Sequence, residues 1–258
     1  MDDDTLNNRT PSSLMLGDRF QGALLGVTLA PVAIRSLPGV TGSSTQKMTS
    51  VIQTCLYAKT QSHPWLSQLP VLLRYYDEAA HHRHQRLGHQ RLAADASSHE
   101  AIAYQCFLSD VVSRVLSGWP LTLSWLKTQQ QQSASQTLKP AVISPKSHSL
   151  YTNLWNDVVQ LAVSQTPMRS QIADYHGIIV GTASMVACAS SHYSVCVPVA
   201  ALSNVSMNWE AALVAGLLAG ALGGRVSLPV LWQRSASSQD AIRLADQLFN
   251  RWAGRLAG

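Results

Sequence analysis

The sequence predicts an all-α fold, a single globular multi-helix domain, and three observations lead to that reading. Apolar residues recur at three- and four-residue spacing along most of the 258 residues, which is the period of a helix face. No period-2 run of β-branched residues bounded by hairpin turns interrupts them. Composition agrees, since 46% of residues are hydrophobic and only 13% charged, against roughly 25% charged in an average soluble domain. With much Ala, Leu, Ser and Gln, that balance fits closely packed helices under a neutral polar surface. The length suffices for one large core, and no repeat of fixed period divides it.

Residues 1–13 are polar, with Asn7-Asn8 and Pro11-Ser12-Ser13, and read as a flexible tail ahead of a domain spanning 14–258. Phe20, Ala23, Leu24 and Val27 then share one face of a first helix, which Pro31 should end or kink. Pro38-Gly39 and residues 41–44 read as a loop. A second helix carries Met48, Val51, Ile52, Cys55 and Leu56, with Ser44 or Thr45 as its N-cap. A third helical region covers 64–80, including Leu66, Leu69, Leu72 and Leu73. Ser97-Ser98-His99-Glu100 opens a long buried helix that Gly118-Trp119-Pro120 closes. Residues 128–150, with glutamines at 129–132, several serines, Pro140 and Pro145, read as a low-complexity flexible insertion. Helices resume near 151–163, 177–189, 196–202, 211–222 and 238–256.

The formal net charge is +5, which permits contact with anionic surfaces without requiring it. Cys55, Cys106, Cys188 and Cys196 are far apart and form no C-x-x-C pair, so they read as buried thiols of a reducing compartment. The acidic start Met1-Asp2-Asp3-Asp4 is unlike a secretory leader, and a cytoplasmic location is expected. The most apolar stretches, 177–189 and 211–224, fall short of the ~20 apolar residues that span a bilayer, so no membrane span is expected.

Glycines give the C-terminal half a pattern of its own. Gly216, Gly220 and Gly224 are four apart and would stack on one helix face. Each costs roughly 1 kcal/mol relative to Ala within a helix, so close approach of a neighbouring backbone is the expected reason. Gly22 and Gly26 give a weaker parallel, which suggests that the two helices sit against something bulky, each other being one option.

Three blocks together resemble the ADP-ribosylglycohydrolase family. The first is Asp18-Arg19-Phe20-Gln21-Gly22-Ala23-Leu24-Leu25-Gly26. The second is Ser98-His99-Glu100-Ala101-Ile102 with Tyr104, which resembles the family's internal His-x-x-Ala-Ile helix. The third runs from Gly177 to Trp232: 215–221 match Ala-Gly-x-Leu-Ala-Gly-Ala, and Leu228-Pro229-Val230-Leu231-Trp232 match Ile-Pro-x-x-Trp. The order is the family's own. The resemblance implies an all-α ADP-ribosylglycohydrolase-type fold and a site where two hard divalent cations bind ribose hydroxyls and activate water. Such ions require oxygen ligands, chiefly carboxylates.

Those carboxylates are missing from the positions the resemblance points to. Ser43 and Ser44 stand where the aspartates of a Thr-Asp-Asp-Thr segment belong. Met207 and Trp209 occupy the aspartate positions of an Asp-x-Asp-Thr segment, and Ala30-Pro31-Val32 replaces Gly-Asp-Ala. Serine is neutral, and Met or Trp is no hard ligand. Thr45, Glu210 and His99 are the contacts that a residual ligand site could keep, with His99 also reading as a capping or core-satisfying histidine. No catalytic residue, resident metal or other cofactor is expected; magnesium or manganese belongs only to an alternative in which a rebuilt site still hydrolyses or binds ADP-ribose.

The densest polar feature is the run 81–91. His81, His82, Arg83, His84, Arg86, His89 and Arg91 could form a basic contact patch for an acidic protein partner. No aromatic residue interleaves them, so a nucleic acid is not expected. The sequence reading is thus a catalytically degenerate, ADP-ribosylglycohydrolase-like protein that works by binding or scaffolding protein partners. The alternatives are a weak ADP-ribosyl hydrolase and a docking module built on 81–91.

Overall fold

The two glycine-bearing segments of the sequence lie against each other at the centre of the molecule. The computed structural model describes residues 15–34, 64–92, 99–135, 144–164, 176–188, 193–202 and 208–254. Among these are ten α-helices and no strand: α1 (Leu16–Ile34), α2 (Pro64–Arg74), α3 (Ala80–Leu92), α4 (His99–Leu116), α5 (Leu123–Ser135), α6 (Pro145–Ser164), α7 (His176–Ala187), α8 (Tyr193–Ala201), α9 (Trp209–Gly223) and α10 (Ala236–Trp252). Two short 3₁₀ turns, Arg225–Ser227 and Trp232–Arg234, join α9 to α10.

Helices α1 and α9 form the most extensive pair, with α7 and α8 packed on α9 and α10 packed on α1. On the other side of the molecule α4 packs on α6, which also holds α5 and α7, while α2 and α3 lie against α4. Residues 211–221 of α9 are buried without interruption. A helix apolar all round belongs in the interior, and that is where this sequence puts it.

What allows the central pair to approach is the absence of side chains at the crossing. A methyl built on Gly22 would meet the Gly220 carbonyl oxygen, and one on Gly26 the Gly216 carbonyl oxygen. The relation is mutual: a methyl on Gly216 would lie 2.5 Å from the Gly26 oxygen. That same Gly26 carbonyl accepts a 2.6 Å hydrogen bond from the buried Tyr193 hydroxyl, which ties α8 to α1. Gly224 lies one residue beyond α9 at φ +67 and ends the helix, and its backbone still takes part in the close approach, since a methyl on Gly22 would fall 2.7 Å from its carbonyl carbon. At the α1–α10 junction Phe20 meets Tyr76, Phe249 and Trp252 in edge or tilted contacts. Gln21 donates to Asp246 across the same junction at 2.7 Å.

Several sequence expectations change. Helix α1 continues through Pro31 to Ile34, so of the two expected effects the proline does not end the helix. Glutamines 129–132 are helical within α5, and α6 starts at Pro145, so most of the supposed insertion is regular structure. Gln is a good helix former, Leu126 and Ser133 are buried beneath the run, and Gln130 donates to Asn156 of α6 at 2.8 Å. The expected third region divides into α2, turns at 75–78, and α3. The tail at 1–13, the expected second helix and its cap at Ser44 or Thr45 lie outside the described residues.

Candidate functional site

The positions singled out by the resemblance are only partly described. Ser43, Ser44, Thr45 and Met207 lie outside the described residues. Trp209 opens α9, half-buried and packed against the hydrophobic core. Asn208 caps that helix, its side chain accepting from the Ala211 amide at 2.9 Å. Glu210 sits in the first turn, where the helix dipole favours an anion. Its carboxylate lies against α7: a methyl on Gly177 would fall 2.5 Å from Glu210 Oε2.

His99 opens α4 with its ring exposed, and Nδ1 lies 3.0 Å from Ser144 Oγ and 3.2 Å from Ser147 Oγ. Ser144 in turn accepts from the Ser147 amide at 3.2 Å, so this imidazole braces the cap of α6. The neighbours of His99 therefore belong to α6, and that of Glu210 to α7.

The most developed polar constellation is elsewhere and is buried. Its centre is Asp110 on α4, 7% exposed. Arg83 of α3 donates from Nη2 to Oδ1 at 2.7 Å, and its Nε reaches Ser109 Oγ at 3.1 Å. The third nitrogen of that guanidinium, Nη1, donates to the carbonyls of Tyr76 and Glu78. His84 Nε2 lies 3.1 Å from both carboxylate oxygens, and the Tyr151 hydroxyl of α6 donates to Oδ2 at 2.7 Å.

Burial alone would push the Asp110 carboxyl up, but His84, Arg83 and the Tyr151 hydroxyl outweigh it and hold it below the usual range. Burial first, and the same carboxylate second, push the Tyr151 phenol and the Cys106 thiol well above their ordinary values. The other ring nitrogen of His84, Nδ1, is buried with no hydrogen-bond partner among the described residues. With Arg83, His84 and Tyr151 all on the Asp110 carboxylate, the arrangement pins α3 and α6 to α4 and leaves neither oxygen of that carboxylate without a partner.

The basic run therefore divides. Arg83 and His84 are buried in this cluster, which removes them from the expected contact patch. The reason is helix geometry: on α3 these positions face α4, whose one interior carboxylate needs partners. His81 and His82 are exposed with ring centroids 3.9 Å apart. Arg86 is exposed, bonded to Glu78 at 2.9 Å and stacked over Tyr75 at 4.6 Å. The side chains of His89 and Arg91 lie outside the described residues.

Asp110 and Tyr151 were not singled out from the sequence. The signal was present, since Asp110 is the lone carboxylate inside the apolar run from Ala101 to Leu116, and such a charge must find partners. Among the described residues no three His, Cys, Asp or Glu side chains are grouped to hold a metal ion. No family model, curated protein or solved structure matches the chain.

Proposed function

We propose that this chain is a catalytically degenerate, ADP-ribosylglycohydrolase-like protein that acts by binding or scaffolding protein partners. The observation that supports this most is Trp209. At a position where the resemblance calls for a metal-binding aspartate, an indole packs against the core at the start of α9. An indole there supplies apolar wall, and hard divalent cations require oxygen. Glu210, next in the chain, stands where the resemblance calls for Thr, and a single carboxylate does not balance two dications. The donor set thus does not suit the implied metal pair, and no chemical step is derived through it.

The glycine contact of α1 with α9 fits the same reading, because it joins the two segments in which the resemblance is strongest. The docking alternative through 81–91 loses ground with Arg83 and His84 turned inward. The test is one sample and two measurements: calorimetric titration with ADP-ribose, with and without magnesium or manganese, and an assay for release of ADP-ribose from a modified protein. No metal-dependent release is expected. Release that requires the metal, and that falls on Glu210→Gln, would overturn the proposal in favour of a rebuilt hydrolase.

A further inference from the structure

The segment joining α9 to α10 shows apolar side chains to solvent from a backbone that is held in place. Val226 is 73% exposed, Val230 66% and Leu231 76%. Scattered exposed aliphatics need no explanation, whereas three within six residues of one connection do. The connection has no freedom to tuck them away. Buried Gln233 donates from Nε2 to the carbonyls of Leu228 at 2.8 Å and Arg225 at 3.2 Å, and its Oε1 accepts from Arg225 Nε at 2.9 Å. Ser227 bonds the Gly224 carbonyl at 2.8 Å, Ser238 that of Trp232 at 2.9 Å, and Gln239 that of Gln233 at 2.8 Å. Leu228 is sunk in the core between the exposed residues.

The charge carried by this segment itself has one sign. Arg225 and Arg234 flank it, and the sequence has no carboxylate between Glu210 and Asp240. The Arg234 side chain is exposed. From this we infer that 224–235 is a docking edge for an anionic lipid surface. Aliphatic side chains that project from a turn suit a bilayer interface, which needs no matching groove, and arginines beside them suit acidic headgroups. The inference is independent of the reading of the α9 N-terminus, which lies at the other end of that helix.

The test is co-sedimentation of the full chain with vesicles of phosphatidylcholine alone and of phosphatidylcholine mixed with phosphatidylserine. Binding to the mixed vesicles is expected, weakening as salt is raised. The double variant Val230→Ser, Leu231→Ser should lower that partitioning about tenfold or more, and Arg234→Gln about fivefold. Both variants alter exposed side chains, and an unchanged melting temperature confirms that they fold. Absence of binding to either vesicle overturns the proposal, as do variants that bind like the parent. It is equally overturned by concentration-dependent self-association that the double variant abolishes while vesicles remain unbound, since the occupant would then be a second copy of the chain.

Discussion

Asp110 shows how one residue can define the relation of three helices. Its carboxylate is buried, and the guanidinium, imidazole and phenol around it take the place of bulk solvent. Asp110→Asn should leave Arg83 buried without its counter-charge and cost about 3–5 kcal/mol. Tyr151→Phe, which removes one donor, should cost about 1–3 kcal/mol. Urea unfolding of the two variants checks both values and their order. The sequence exposed the ingredients, a lone acid in an apolar helix and an Arg-His pair, but not their meeting. Pairing across α3, α4 and α6 depends on which faces the helices turn to one another, and 81–91 taken alone reads as a solvated surface.

Among the elements, α1 and α9 were the most legible, because glycines at four-residue spacing on both helices are hard to explain except by backbone contact. Their meeting at Gly22, Gly26, Gly216 and Gly220 agrees with that reading. Gly26→Ala and Gly220→Ala should each destabilise, since overpacking costs about 1–3 kcal/mol or more and exceeds the roughly 1 kcal/mol gained in helix propensity. Gly17 on the same α1 is the control. A methyl there meets only the Phe249 ring at 3.7 Å, so Gly17→Ala should be neutral or raise stability by up to about 1 kcal/mol. Thermal melting of the three variants separates the two cases. Less legible were the elements whose local composition argued against their tertiary role. The glutamines of α5 look like a linker until Leu126 and the flank of α6 are seen beneath them.

At the scale of the molecule, its buried ionisable groups bound the native state at both ends of the pH range. Asp110 is held below the ordinary carboxylate value of about 3.9, so its contribution is present above that value and is lost as pH falls through the folded one. Tyr151 and Tyr193 are raised by burial, and burial with Asp77 pushes Tyr76 up to about 12 despite the opposing Arg19. Their contribution is present below the ordinary phenol value of about 10 and is lost as pH rises through the folded values. Urea midpoints against pH should therefore form a plateau with a fall on each side, and Asp110→Asn should flatten the acid limb and, by removing one of the causes that raise Tyr151, also reduce the alkaline fall. The all-helical architecture was readable from periodicity, whereas the catalytic standing of the α9 N-terminus turns on residue substitutions that periodicity does not register. The Gln21–Asp246 bond closes a loop of 225 residues, and that span has a consequence for biosynthesis. At ~5–20 residues per second, the apolar faces of α1 leave the ribosome about 11–45 s before α10 arrives to cover them. For that interval the part of α1 that carries Phe20 and Gln21 exists without the helix whose Phe249 and Asp246 meet it.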